Sequence, residues 1–387
     1  MVKKLLVLGS TGALGNKTLD VVREFSDRFI IIGLGARQNV ERLVKQVEEF
    51  RPKYVLLTEN TITSSLERTI KRLRIEYFYG IEGLKEIATI EEVDLVVLVM
   101  GGALGIYPLW EAINHGKDVA IANKESIVIM GELIRKRVEE KNVRLIPIDS
   151  EPSAIFQCLN GLMSKNELES VILTASGGPF RNLSREELKA VTPEQALHHP
   201  VWRMGKKITV DSANLMNKGF EWIEIHKFFN IPYEKIHIVV HPQGVIHGAI
   251  NLKDSTSIAL MSVPDMRIPI LYALSYPERI ETNWQRLDLL SLGEITFEPP
   301  DVEKFPALRI AMESGRKGLT YPVVLNASDE VAVELFLRGE INFTDIPKLV
   351  EEVLSSHSPM FPDSIEAVMA VDRWAREETL RVKDRVR

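Results

Sequence analysis

Cysteine is nearly absent. Of 387 residues only Cys158 carries a thiol, so no intrachain disulfide can close and no thiolate cluster can hold a metal. Cys158 follows the apolar run Ala154-Ile155-Phe156 and reads as a small packing residue. Long apolar runs are missing too, and nothing approaches the about 20 residues of a membrane-spanning helix. The run from Val2 to Gly9 is too short for a secretory leader and ends in a glycine motif. An excess of charge is also lacking. The formal net charge is -6 with 26% charged residues, which argues against nucleic acid or a membrane surface as partner. No internal repeat or low-complexity tract is present. A cytoplasmic protein with no transit segment is expected.

What is present is apolar material for sizeable cores, 45% of residues, in a chain long enough for two or three domains. Short runs rich in Val, Ile and Leu recur at Leu5–Leu8, Phe29–Gly33, Tyr54–Leu57, Leu95–Met100, Val119–Ala122 and Leu145–Ile148. Buried parallel strands have this character. Between them Val40, Leu43, Val44 and Val47 share one helix face. The alternation predicts an α/β fold beginning with a Rossmann-like, doubly wound parallel sheet over residues 1–149. Strands at Val171–Thr174, Ile208–Val210, Ile236–Val240, Ile246–Ile250 and Ser257–Ala259 predict a second α/β domain with a mixed sheet over 150–275. Residues 276–300, with Pro277, Pro299 and Pro300, read as a linker. Residues 301–387 read as a helical bundle, with Ile346, Leu349, Val350, Val353 and Leu354 on one face. The charged end, Arg381–Arg387, is expected to fray.

The first strand runs into Gly9-Ser10-Thr11-Gly12-Ala13-Leu14-Gly15, before a helix with Leu19, Val22 and Phe25 inward. Glycines there let backbone approach a pyrophosphate at the helix N-terminus. A bare strand–helix turn has the same look, but the position at the first βα junction favours a nucleotide. The second strand ends in Gly35-Ala36-Arg37-Gln38-Asn39, with no acid for ribose hydroxyls. Arg37 can meet a 2′-phosphate, so NADPH is expected over NADH, unless Arg37 is only a solvated charge.

Two further strands end in Asn123-Lys124-Glu125-Ser126 and in Asp149-Ser150-Glu151. If the second segment is extended, Asp149 and Glu151 aim two carboxylates at one point, an oxygen site suited to Mg²⁺ or Mn²⁺. A solvated turn or a helix cap is the bland alternative. In Asp211–Glu221, Asn214, Asn217, Lys218 and Glu221 are spaced to share a helix face. Ser212, Asn217 and Lys218 suit a phosphate and Glu221 a third metal carboxylate; a solvated face is the alternative. Thr174–Phe180, with Ser176-Gly177-Gly178, can offer an anion N–H groups and a hydroxyl. His198–Lys207 is basic and aromatic and reads as a lid or a passive loop. His241 and His247 are expected to be structural, or to support ligand residues from behind, rather than to be ligands themselves.

These segments together resemble the 1-deoxy-D-xylulose 5-phosphate reductoisomerase family, in order and over essentially the whole chain. The likeness continues through His241–His247, Pro264-Asp265-Met266-Arg267, and Asn326-Ala327 with Glu330. It implies a homodimeric NADPH enzyme using one divalent cation (Mg²⁺, Mn²⁺ or Co²⁺) to make 2-C-methyl-D-erythritol 4-phosphate, for isoprenoid synthesis, from a sugar phosphate. Carried over, Thr11, Gly12, Ala13 and Leu14 would hold the NADPH phosphates, and Arg37, Gln38 and Asn39 its adenosine end. Asn123, Glu125 and Gly205 would also touch the cofactor. Asp149, Glu151 and Glu221 would bind the metal, while Lys124, Ser150 and Glu151 meet the reacting oxygens. Ser176, His199, Ser212, Asn217 and Lys218 would grip the substrate phosphate, and Trp202 would cover its carbon chain. Pro152, Ser153, Asn214, Gly244 and Gly248 depart from the usual pattern without removing a proposed ligand. On the residues alone, a metal-independent NADP dehydrogenase and a non-enzymatic NADPH sensor stay open.

Overall fold

The computed structural model describes residues 2–59 and 62–385. They form two compact units. One is built from the chain up to Ser126, Leu133–Ser153 and Asp265–Asn283; the other from Ile127–Glu132, Ala154–Pro264 and the chain from Trp284 on.

The first unit holds a seven-stranded parallel sheet. Its strands are β1 (Lys3–Leu8), β2 (Phe29–Ala36), β3 (Tyr54–Leu57), β4 (Glu76–Tyr79), β5 (Leu95–Leu98), β6 (Asp118–Ile121) and β7 (Leu145–Pro147). Their order is β4-β3-β2-β1-β5-β6-β7, with every neighbour pair parallel. The order reverses direction between β1 and β5, the switch point where such sheets bind ligands. Leu5–Leu8 and Leu95–Leu98 are buried, as helices on both faces require. β4 was not expected. Its Glu76-Tyr77-Phe78-Tyr79 lies at the sheet edge, only partly buried, and so lacks an aliphatic run. Helix Ala13–Glu24 buries Leu19, Val21 and Val22, while Phe25 is its C-cap.

Helix Arg267–Ser275 also belongs to the first unit, where it packs on helix Ala13–Glu24. The second domain expected over residues 150–275 includes this helix, so the structure differs there. Its residues from Pro269 to Ser275 are all buried, so it must be covered, but its composition does not say by what. Lys3 Nζ donates to the Leu274 carbonyl at 2.5 Å, and Arg28 pairs with Glu278. The expected linker is thus divided at Asn283. Its second part holds helix Leu289–Leu292, and Glu298 exchanges backbone hydrogen bonds with Val240 at 2.8 and 2.9 Å.

The second unit has a four-stranded mixed sheet of β8 (Leu168–Ala175), β9 (Ile236–Val240), β10 (Ile246–Leu252) and β11 (Ser257–Met261), ordered β11-β10-β8-β9. β8 and β9 are parallel; the other pairs are antiparallel. Helices Pro306–Lys317, Tyr321–Leu337, Asp345–Ser355 and Ile365–Val382 pack together as the expected C-terminal bundle. Ile346, Leu349, Val350, Val353 and Leu354 are all buried. One expected strand is wrong: Ile208–Val210 lies in helix Lys206–Ala213. Three β-branched residues suit either state, and burial of Thr209, Val210, Asp211 and Ala213 selects the helix. The tail is also more ordered than expected. Lys383 pairs with Glu340 at 2.8 Å and Arg385 with Glu352 at 2.9 Å; residues 386 and 387 lie outside the described range. No helix among the described residues is long and apolar enough to cross a membrane.

Helix Met216–Phe229 is buried almost all round and carries Trp222, whose Nε1 donates to the Ile236 carbonyl at 3.0 Å. Near its end Lys227 is buried, and its Nζ donates to the Val128 carbonyl at 2.8 Å. That carbonyl lies two residues before Met130, where helix Lys124–Lys141 breaks (φ −135°). Burial pushes the Lys227 ammonium down to about 8, with Glu132 pulling the other way. Between about 8 and the ordinary 10.5 the unfolded chain therefore holds the extra proton. Stability contributed by this group must rise with pH across that window, by roughly 3 kcal/mol. Urea unfolding across the window should show the rise in the parent chain. Lys227→Met should flatten it; an unchanged slope would refute the assignment.

Candidate active site

In the first unit the loop after β1 is shaped by close approach. Gly9 has φ +95°, and a Cβ there would lie 2.6 Å from the Met100 nitrogen. A Cβ on Gly15 would lie 2.2 Å from the Gly9 carbonyl. Helix Ala13–Glu24 starts from Gly12 with no capping side chain and no acid in its first turn. Such an N-terminus offers N–H groups and positive potential to a phosphate. The loop is braced from behind: Ser10 Oγ donates to Gln46 at 2.8 Å, Gln46 Nε2 returns a bond to the Ser10 carbonyl at 2.9 Å, and Arg42 donates to the Thr11 carbonyl at 3.1 Å.

At the end of β2, Arg37 Nε and Gln38 Nε2 both donate to Glu59, at 2.7 and 2.8 Å. Asn39 caps helix Val40–Phe50, accepting from the Arg42 nitrogen at 3.0 Å. Local sequence does not reveal Glu59 as a partner of Arg37, because this acid follows β3, 22 residues further on. After β6, Asn123 is buried and donates to the Met100 and Gly102 carbonyls, each at 3.0 Å, and to Glu125 at 3.1 Å. It thus ties the end of β6 to the loop after β5.

Lys124 pairs with the Asp149 carboxylate, joining the ends of β6 and β7. Asp149 does not lie in an extended segment as expected. Its carbonyl accepts from Ser153 N at 2.9 Å and its Oδ1 from Ser150 N at 3.1 Å, so it opens helix Ser150–Leu159. Pro152 explains the difference, since in a first helical turn its missing N–H costs nothing. Ser150 Oγ donates to Glu151. Asp149 and Glu151 remain half-buried carboxylates within the same first turn of that helix.

The second unit carries the serine, histidine and glycine residues expected to meet an anion. β8 ends at Ala175, followed by Ser176 and two left-handed glycines, Gly177 (φ +81°) and Gly178 (φ +68°). Ser176 Oγ and Ser212 Oγ each lie 3.0 Å from His199 Nε2. His199 Nδ1 accepts from the Val201 and Trp202 nitrogens at 3.1 and 2.9 Å. An acceptor Nδ1 leaves the proton on Nε2, which therefore donates toward the two hydroxyls. The 198–207 segment is pinned at this ring. Trp202 lies with its ring 6.0 Å from His247, and Gly205 is the N-cap of helix Lys206–Ala213. His241 contacts the Thr296 carbonyl and the Val245 nitrogen, and His247 contacts Ser262.

Asn214, Asn217, Lys218 and Glu221 do not share one helix face as expected. Helix Lys206–Ala213 ends at Asn214, Leu215 is left-handed (φ +66°), and a new helix starts at Met216. Asn214 Oδ1 instead accepts from the Met216 nitrogen at 2.8 Å. Asn217, Lys218 and Glu221 do cluster: Asn217 Nδ2 donates to Glu221 Oε1 at 2.6 Å, and Lys218 Nζ to Oε2 at 2.5 Å. Beside them Lys207 pairs with Asp211 at 2.6 Å and Asp329 at 2.7 Å. Burial pushes both carboxyls up, and at Asp211 the Asp329 charge pushes further against the pull of Lys207. Nothing in the local sequence links Asp211 to Asp329.

The sheet order and the glycine loop after β1 define a doubly wound α/β protein with a second, mixed-sheet unit. Known proteins narrow this. The family model for 1-deoxy-D-xylulose 5-phosphate reductoisomerase matches residues 5–131, and those of its C-terminal domains match 145–229 and 261–378. The reductoisomerase of Prosthecochloris aestuarii is 49% identical over 97% of this chain and 98% of its own. That of Clostridium perfringens is 44% identical, with the same shares covered. Among solved structures, the Zymomonas mobilis enzyme in complex with NADPH is 40% identical, with TM-score 0.91 and 99% of each chain covered. A reductoisomerase in complex with NADPH, fosmidomycin and magnesium is 33% identical, with TM-score 0.93 and 98% of each chain covered. The chain belongs to the 1-deoxy-D-xylulose 5-phosphate reductoisomerase family.

Gly178 gives a local test of the anion loop. A Cβ there would lie 2.7 Å from the Ser212 carbonyl, at a φ that disfavours side chains. Gly178→Ala should lower stability by about 2 kcal/mol in urea unfolding. An unaltered midpoint would show the loop to be freer than its geometry implies.

Proposed function

We propose that this chain is a cytoplasmic enzyme that uses NADPH and a divalent cation to convert 1-deoxy-D-xylulose 5-phosphate into 2-C-methyl-D-erythritol 4-phosphate, in the non-mevalonate route to isoprenoid precursors. The relationship over 97% of the chain to enzymes of that name carries the reading. The solved relatives holding NADPH and magnesium support both cofactors.

The donor chemistry fits them. The uncapped helix N-terminus suits a pyrophosphate, and Thr11, Gly12, Ala13 and Leu14 take that role. Arg37, Gln38 and Asn39 receive the adenosine end; Asn123, Glu125 and Gly205 meet the rest of the cofactor. Asp149, Glu151 and Glu221 supply carboxylate oxygens only, a set for Mg²⁺, Mn²⁺ or Co²⁺ rather than for a soft metal. When bound, the cation supplies Lewis-acid polarisation of the substrate's ketone and hydroxyl oxygens, and NADPH supplies hydride to the rearranged aldehyde.

The chain's own residues do the positioning. Ser176, His199, Ser212, Asn217 and Lys218 grip the phosphate. Asn217 and Lys218 donate to Glu221 in this state, so gripping a phosphate redirects donors that now satisfy that carboxylate. Lys124, Ser150 and Glu151 orient the reacting oxygens. Remote phosphate binding energy holds the 198–207 segment closed, with Trp202 excluding water from the carbon chain. We assign residues 1–149 to NADPH and 150–275 to substrate, metal and dimerisation, with the later helices in support. A homodimer is supported by β11, an edge strand whose outer side has no strand partner among the described residues.

NADPH absorbance followed with 1-deoxyxylulose 5-phosphate, with and without Mg²⁺, tests the reading. Oxidation should require both. Turnover without added or bound metal would favour an ordinary dehydrogenase, and cofactor binding without oxidation a sensor. Glu221→Gln should keep the far-UV spectrum and lose at least about a thousandfold in turnover; near-normal activity would remove Glu221 from the metal set. Light scattering should give twice the chain mass, and a monomer at working concentration would sink the dimer.

A further inference from the structure

The ends of β2 and β3 meet at one carboxylate. The ladder between them runs to Ala36 opposite Leu57, and continues in backbone bonds from Thr58 N to the Ala36 carbonyl (3.1 Å) and from Glu59 N to the Arg37 carbonyl (3.0 Å). These bonds place the Glu59 backbone beside Arg37. Its two oxygens are then divided: Oε1 accepts from Arg37 Nε at 2.7 Å and Oε2 from Gln38 Nε2 at 2.8 Å.

The way Arg37 is held matters. Glu59 takes the guanidinium by Nε. The terminal nitrogens are the fork that grips a phosphate bidentately, and this pairing does not consume both of them. The Arg37 side chain is 66% exposed and that of Glu59 36%. An ion pair so exposed contributes little to folding. Its effect lies in orientation instead. A long exposed arginine must give up rotamer freedom to grip an anion, and a carboxylate that already holds it removes part of that cost. Opposing this, the Glu59 charge repels an incoming phosphate. At an open surface that repulsion is screened by water and salt, whereas the lost rotamer freedom is not.

We propose that Glu59 is a specificity-determining positioning residue, which holds Arg37 and Gln38 in the pose that separates a nucleotide bearing a 2′-phosphate from one bearing a free 2′-hydroxyl. The proposal rests on the NADPH reading above. It assigns the selectivity to an acid that follows the neighbouring strand β3, beyond the β2 end that carries Arg37.

Calorimetric binding of adenosine 2′,5′-bisphosphate and of 5′-AMP to the full chain tests it without turnover. The parent chain should prefer the bisphosphate. Glu59→Ala should bind the bisphosphate roughly five- to tenfold more weakly, with 5′-AMP little changed. Glu59→Gln keeps an acceptor for Arg37 Nε without the charge, and should retain most of the preference. Thermal melts of both variants should match the parent, as expected for an exposed pair. A bisphosphate affinity unchanged or increased in Glu59→Ala would overturn the role, because repulsion would then outweigh orientation. A parent chain that does not discriminate between the two probes would overturn the NADPH reading itself, and this proposal with it. The two failures are told apart by the parent measurement alone.

Discussion

A single imidazole organises the second unit. His199 accepts two backbone N–H groups at Nδ1 and presents Nε2 to Ser176 and Ser212. One ring therefore joins the end of β8, the 198–207 segment and helix Lys206–Ala213. The glycines beside Ser176 follow from this. With Gly178 so near the Ser212 carbonyl, any side chain would force apart the two hydroxyls the imidazole spans. Polar groups gathered this closely satisfy one another.

Helix Met216–Phe229 shows what this arrangement costs. It buries Lys218, Glu221, Glu224 and Lys227 among apolar neighbours. Removing charge from water is expensive, and each such group needs a partner. Asn217 and Lys218 answer Glu221, and the Val128 carbonyl answers Lys227. The Lys207–Asp211–Asp329 cluster repeats the theme, with two carboxyls pushed up by burial around one ammonium. A helix chosen only for stability would carry leucines at such positions. The first unit is constrained by close approach instead, since Gly9 and Gly15 permit contacts that no other residue would allow.

The strands of the parallel sheet were legible because burial on both faces leaves continuous apolar runs such as Leu5–Leu8 and Leu95–Leu98. The glycine loop and the last helices were legible for similar reasons: a fixed spacing answers a fixed local geometry. Errors fell where local pattern is ambiguous. Ile208–Val210 suits strand or helix, and β4 at an edge needs no aliphatic run. The site was legible as a set of residue types, less so as an arrangement. Asp149 opens a helix rather than lying in a strand, and Asn214 closes one helix and begins the next.

Sequence by itself determined the α/β alternation, the glycine turn after the first strand and the family, because each is written in short-range spacing and residue chemistry. Tertiary structure alone decided that helix Arg267–Ser275 joins the first unit, that Glu59 reaches Arg37, and that Asp329 shares Lys207 with Asp211. These pairings join residues far apart along the chain. Backbone periodicity carries no record of such distances; the packing of elements against one another sets them.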